Sequence, residues 1–323
     1  MPVRWVSVMR VPRLRPKTYR AFTFASLLSL AAIVVTGALV RLTDSGLGCS
    51  DWPRCSSDKF IDVSSSHAAV EQINRLFTGV VSVAVILAVA GSLIRTPRRR
   101  DLTWLSLSLV VGVIGQAVVG GIVVLTDLNP IAVQQHFLLS MVILAAAVVL
   151  HRRATLLDGE YWVRAVSPGT MRIVWVLAAL AAVALVTGTV TTGTGPHSGI
   201  HKGEFVRRFG FDISSVARVH SITVIVTVLC ALLLVWRMRG TADRSKLENA
   251  ISTVLIVALM QGAVGYLQYF NGVPVVLVAI HVGMATTFWL SIVYLVVATR
   301  AVERRDPVVS AEAPERPADV VEL

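Results

Sequence analysis

The chain has 323 residues, 55% hydrophobic and 15% charged, with a net charge of +11 and a mean hydropathy of +0.72. A soluble domain cannot hide that much apolar side chain, so the class is a polytopic membrane protein. Nucleic acid is not the target of the positive charge, because the basic residues sit in short clusters between apolar runs, where they act as topology signals.

Eight apolar runs are long enough to cross about 30 Å of hydrocarbon. They cover residues 20–40, 72–94, 102–125, 131–150, 171–192, 214–236, 249–270 and 274–298. The first is too long for a signal peptide, and no small-residue cleavage site follows it, so it is expected to stay as a span. Pro, Gly and charge mark the joints: T-P-R-R-R-D after Ile94, L-N-P before Ile131, S-P-G before Thr170 and N-G-V-P before Val275. One side takes the N-terminus, the loops at 95–101, 151–172 and 237–248, and the C-terminus; it carries 22 of the 30 Lys and Arg. The positive-inside rule puts that side, with both termini, in the cytoplasm of a cell (plasma) membrane protein. The loops 41–70 and 193–213 are then extracytoplasmic, and the charged, proline-rich last 20 residues or so read as a disordered tail.

The two halves resemble each other. G-Q-A-V-V-G-G-I-V-V-L from Gly115 parallels M-Q-G-A-V-G-Y-L-Q-Y-F from Met260, and V-T-G-A-L-V from Val35 parallels V-T-G-T-V-T from Val186. Gln116 precedes His136, and Gln261 precedes His281, by 20 residues each. In the second and sixth spans Asn74 aligns with His220. The expected fold is therefore an all-α protein of two duplicated four-helix bundles, related by a pseudo-two-fold along the membrane normal. The expected division is 1–19, a cytoplasmic segment; 20–151, the N-terminal half; 152–170, a cytoplasmic linker; 171–299, the C-terminal half; and 300–323, the tail.

His136, His220 and His281 each lie near the extracytoplasmic start of a span. Ionisable groups inside spans are costly and default to function. Two imidazoles at one depth on facing helices can supply both axial ligands of a haem iron, which makes His220 and His281 the first candidates. The plainer alternative is a histidine bonded to a backbone carbonyl. Gly112, Gly115, Gly120, Gly121, Gly262 and Gly265 offer flat helix surfaces to a macrocycle, or simply close helix packing. Asn74, where a fourth histidine is expected, is a poor iron ligand and leaves an open or weakly held position. His67, Glu71 and Asn74 share a face only if their helix starts early, and His67 is then a substitute ligand one or two turns higher.

Glu71, at the mouth of an apolar pocket, is a candidate for proton transfer; the alternatives are a helix-dipole partner or a salt bridge to Arg75 at i+4. Arg41 and Arg75 lie at the outer interface, placed for haem propionates or for snorkelling. An oxidising compartment lets Cys49 and Cys55 pair, as a structural staple or a redox couple. Cys230 is a small hydrophobe in an apolar run. His197 and His201 sit among glycines and suggest no metal site.

The eight spans in two halves, V-R-L-T-x-S-G-L-G-C…W-P-x-C, the E-x-x-x-R at the second span and the histidines opening the fourth, sixth and eighth together resemble the haem A synthase family over about residues 20–300. The resemblance implies oxidation of the methyl at porphyrin position 8 of haem O to a formyl group, giving haem A for aa3-type oxidases. It implies a resident haem b on His220 and His281, substrate haem O facing His136 in the N-terminal half, Glu71 as the essential carboxylate and Cys49–Cys55 as the loop pair. Asn74 departs from the family's fourth histidine. Partners compatible with the resemblance are the lipid bilayer, haem O synthase, an electron-transfer partner, the terminal oxidase and a second copy of the chain, although no motif shows them. The rival readings are a di-haem membrane electron carrier of cytochrome b type, against which Asn74 counts, a repeat-built transporter and a structural assembly factor.

Overall fold

The computed structural model describes residues 13–197, 199 and 207–304. Residues 1–12 of the expected N-terminal segment, 305–323 of the expected tail and His201 lie outside them. The elements are α1 (Pro16–Leu42), α2 (Ser66–Ile94), α3 (Arg100–Leu125), α4 (Pro130–Ala154), β1 (Glu160–Arg164), α5 (Pro168–Thr194), α6 (Ile213–Arg237), α7 (Asp243–Phe270), α8 (Val275–Ala298) and β2 (Arg300–Arg304). All eight helices are long and apolar enough to cross a membrane, and the chain is an all-α polytopic membrane protein.

Local chemistry sets the helix starts. Pro16, Pro130 and Pro168 occupy first-turn positions, where the missing N–H costs nothing. Ser65, Asn129, Ser167 and Asp212 cap α2, α4, α5 and α6 by accepting a first-turn N–H. Hydrogen bonds from Ser214 and Ser215 hold the Asp212 carboxyl down at about 2. The Ser65 cap starts α2 six residues before its apolar run begins at residue 72. His67 and Glu71 are therefore helical, and the shared face with Asn74 is realised.

The helices form two rings. In the first, α1 touches α2, α2 touches α3, α3 touches α4 and α4 returns to α1; α5 to α8 repeat the same circuit. Between rings, α1 meets α8 as α5 meets α4, and α4 meets α8. Every helix contact thus has a counterpart under the exchange of α1–α4 with α5–α8. The diagonal pairs α2·α4 and α6·α8 are not among the helices in close contact. Polar bonds between helices cross from ring to ring: Trp289 Nε1 donates to Met141 O (2.8 Å), Gln134 Nε2 to Thr189 Oγ1 (2.8 Å) and Arg41 Nη2 to Thr192 O (2.9 Å).

Each ring has its own apolar core, and each core sits at the end away from the long loops. In the first it is built on Tyr19, Val85, Leu102, Leu109, Leu144 and Leu150; in the second, on Leu177, Leu234, Leu247, Ile251 and Ile292. In the second ring the buried side chains of three helices stop towards the loops. In α6 none is buried before Thr227, in α7 none after Ala258, and in α8 none before Thr286.

The core end is fastened by polar and strand contacts. The expected linker and tail are joined, since Glu160–Arg164 pairs antiparallel with Arg300–Arg304. Arg95 is fully buried, donates to Pro97 O and pairs with Asp158 at 2.8 Å. Its side chain is 1% exposed and that of Asp158 39%, so the guanidinium carries the desolvation. Removing one partner of a buried pair costs most when the other stays buried. Asp158→Ala is therefore expected to lower the thermal unfolding midpoint in detergent more than Arg95→Met; the reverse order would show that Asp158 does not hold the guanidinium.

Candidate functional site

The three span histidines sit on the loop-side turns, beyond the cores. Each imidazole lies flush on a glycine of the preceding helix. A Cβ built on Gly120, Gly188 or Gly265 would come within 3.2, 3.1 and 3.1 Å of Cε1 of His136, His220 and His281. Only a residue without a side chain lets the ring lie so close. Gly37 of α1 holds the same place in the repeated V-T-G, opposite a helix that carries Asn74, and a Cβ there would meet nothing within 4 Å.

Second contacts orient the rings. Gln116 Nε2 donates to His136 O (3.0 Å) and Gln261 Nε2 to His281 O (3.1 Å), so the repeated 20-residue spacing is a helix-to-helix hydrogen bond. Gln116 also reaches Ser140 Oγ at 2.7 Å. Thr187 Oγ1 meets His220 Nδ1 at 3.0 Å. Nδ1 of His136 and of His281 is buried without a hydrogen-bond partner. In all three rings Nδ1 is therefore covered or bonded, and Nε2 is the nitrogen left for a ligand.

His220 and His281 stand on the diagonal helices α6 and α8 and are near enough to interact electrostatically. Among the described residues no group of three or more His, Cys, Asp or Glu could hold a metal ion. A bare ion is thus poorly served, whereas a haem brings four in-plane nitrogens and needs only two from the protein. Two imidazoles across a ring, at a level without buried side chains, fit that group.

The first long loop is seated on α2. Disulfide-bonded Cys49 and Cys55 are buried, at 0% and 1% exposure. Cys49 N donates to Glu71 Oε2 at 2.8 Å. Arg75 donates to Glu71 Oε1 from Nε (3.0 Å) and Nη2 (2.6 Å), and to Asp51 O and Arg54 O from its remaining N–H groups. All five guanidinium donors are committed, and the group lies 5.5 Å over the Trp52 ring. Trp52 rests on Gly121, where a Cβ would come within 2.4 Å of the indole.

The structure brings Glu71, Arg75, Cys49 and Cys55 together with Asn74 one turn below, and keeps His220 and His281 in the other ring. Arg75 clamps the loop and has no donor left for a propionate. Arg41 ties the second loop to α1, donating from Nε to His197 O and from Nη2 to Thr192 O, each at 2.9 Å. The loops also meet through Gly46 N and Gly199 O (2.8 Å). His67 contacts Ser45 Oγ through Nδ1 (3.1 Å). Of the glycines singled out from sequence, Gly120 and Gly265 face histidines, Gly121 faces Trp52 and Gly112 faces Ile143. Gly188 and Thr187 were missed, although their signal, the repeated V-T-G, is visible in the chain.

A family described as COX15-CtaA, cytochrome oxidase assembly protein, matches residues 20–72 and 57–293. A curated relative named "Heme A synthase" from Symbiobacterium thermophilum is 26% identical over 310 residues, 91% of this chain and 100% of the relative. One of the same name from Listeria welshimeri is 24% identical over 291 residues, 86% of this chain and 94% of the relative. A third, from Lysinibacillus sphaericus, is 30% identical over 130 residues, 40% of this chain and 42% of the relative.

The loop seat can be tested at Gly48. A Cβ there would lie 2.4 Å from His67 O, a backbone atom that cannot swing aside. Strain of that kind costs on the order of 1–3 kcal/mol. Gly48→Ala is expected to lift Cys49 off Glu71 and speed reduction of the Cys49–Cys55 disulfide roughly tenfold, read by alkylation and mass shift. An unchanged rate would mean that the loop is not held through this contact.

Proposed function

The chain belongs to the COX15-CtaA family of cytochrome oxidase assembly proteins, and we propose that it is a haem A synthase, oxidising the methyl at porphyrin position 8 of haem O to a formyl group to give haem A for aa3-type terminal oxidases. The observation that carries this reading is the set of three imidazoles, each flush on a glycine of the preceding helix, on the loop-side turns of their spans. Relatives named "Heme A synthase" that align over 86% and 91% of the chain support it. The di-haem carrier is disfavoured, because it needs a histidine pair in each half and Asn74 breaks the first.

In this reading the C-terminal half, 171–299, holds a resident haem b through Nε2 of His220 and His281. That cofactor, when bound, supplies one-electron transfer. Thr187 and Gln261 keep the two ligand helices in register for it. The N-terminal half, 20–151, receives haem O, with His136 on one face of its iron and Gln116 holding the His136 backbone. Exposed apolar residues on the loop-side turns of α3 and α4, including Val118, Ile122 and Ile131, leave the farnesyl tail an apolar path into the bilayer.

Glu71, one turn before Asn74, is assigned to accept protons released as the methyl is oxidised. Cys49 N and Arg75 fix its two oxygens, so the carboxylate keeps one position as substrate comes and goes. The disulfide holds Cys49 in place to do this. Arg41 remains the propionate partner, while Arg75 positions Glu71. Both termini are assigned to the cytoplasm and the haem sites to the extracytoplasmic face, on the distribution of 22 of 30 Lys and Arg. A haem O synthase to supply substrate, an electron-transfer partner and the oxidase that takes product are the partners this chemistry requires.

The deciding experiment is extraction and chromatography of haems from protein produced alongside a haem O source. Haem B together with haem O, haem A or a hydroxylated intermediate is expected; haem B alone, at two per chain, would favour the electron carrier. His220→Ala and His281→Ala should each lose haem B, and unchanged spectra would overturn the ligand assignment. Glu71→Gln should retain haem B and a reduction-resistant disulfide yet yield no haem A. Normal haem A output would remove Glu71 from the reaction, and a labile disulfide would mark it as a loop anchor instead.

A further inference from the structure

Four helix pairs repeat one construction: Gly120 with His136, Gly188 with His220, Gly265 with His281, and Gly37 with Asn74. In three of them a Cβ built on the glycine would lie 3.1–3.2 Å from the imidazole; at Gly37 nothing stands within 4 Å of a built Cβ. The asparagine side chain is shorter than an imidazole, and its neutral amide oxygen is a weak donor to iron. Its Oδ1 is buried and has no hydrogen-bond partner, an arrangement that a folded protein seldom keeps without a reason.

Neighbouring groups do not replace the missing ligand. His67 lies two turns towards the loop, with Nδ1 on Ser45 Oγ and its backbone under Gly48. Glu71 and Arg75 hold each other and the disulfide loop. Gln116 Nε2 is engaged by His136 O and Ser140 Oγ. The diagonal helices α2 and α4, which carry Asn74 and His136, are not among the helices in close contact.

We propose that haem held by His136 keeps its Asn74-facing side for a small exogenous ligand of the iron, a diatomic or a small anion, which accepts a hydrogen bond from Nδ2 of the Asn74 carboxamide. This rests on the haem A synthase reading above. It makes the two halves chemically different sites: both iron faces are taken by protein in the C-terminal half, and one face in the N-terminal half. The residue that decides between them is Asn74, set against His220 in the repeat.

The test uses the full chain, purified with its haem B and then loaded with haem O. Optical and electron paramagnetic resonance spectra report spin state, and carbon monoxide (reduced protein) and cyanide (oxidised protein) are the probes. Expected per chain are one low-spin haem B that refuses both probes and one high-spin haem O that binds them. Asn74→His should turn haem O low-spin and abolish probe binding. Asn74→Ala should stay high-spin but bind cyanide roughly tenfold more weakly, the loss of one hydrogen bond to a charged ligand. Retention of haem B in each variant reports an intact fold. A low-spin haem O that refuses carbon monoxide in the unaltered chain would overturn the open face and leave the synthase reading standing. Unchanged cyanide affinity in Asn74→Ala would overturn the role of the carboxamide. Failure to take up haem O while haem B stays bound would overturn the synthase reading, and this inference with it.

Discussion

Everything at the loop-side end depends on the packed apolar end of each four-helix ring. At the packed end, Leu102, Leu109, Leu144 and Leu150 in one ring, and Leu177, Leu234, Leu247 and Ile292 in the other, interlock as in any bundle. At the other end a glycine meets an imidazole three times. A glycine gives no knob to fit a facing hole, so the ring lies flat on backbone. The packed end supplies the rigidity that holds the glycine–imidazole contacts at the other end in place.

The loop clamp applies the same economy of parts to the polar groups. Glu71 and Arg75 are one helical turn apart, and a bare pair at that spacing contributes only a few tenths of a kcal/mol on an exposed helix. Here the pair is largely buried, with side-chain exposures of 7% and 14%, and its remaining valences are filled by Cys49 N, Asp51 O and Arg54 O. A short disulfide loop is what can present one donor and two acceptors to neighbouring charged groups. The cysteine pair and the charged pair therefore form one device, and the carboxylate owes its position to the loop as much as to its helix.

The same helix pairs meet in both halves of the scaffold, and the site breaks the repeat. Gln116 and Gln261 make the same bond to a histidine carbonyl, and the equivalent helices α4 and α8 meet each other. The differences sit where function would place them. Cysteines occur in the first loop and not the second, Glu71 has no acidic counterpart on α6, and Asn74 replaces a histidine. The repeat gives the two halves matching glycine cradles, and they differ at these positions.

Much of this was written in the chain. Apolar run length determined eight spans, because a bilayer core admits only helices of about that length. The internal repeat paired His136 with His281 and set Asn74 against His220, because equal spacing on equal helices means equal depth. The early start of α2 was not legible, since Ser65 caps a polar turn that hydropathy alone does not see. Nor was the pairing of 160–164 with 300–304, which joins segments that read as a linker and a tail. Arg75 looked like a propionate partner; only the folded loop shows its five donors committed, because hydrogen-bond partners close in space can be far apart in sequence. Composition and spacing thus determined by themselves how many helices there are and which residues share a depth. The tertiary structure alone decided which glycine each imidazole touches, and that the cores stop short of the histidines, because both follow from how helices distant in sequence are set against one another.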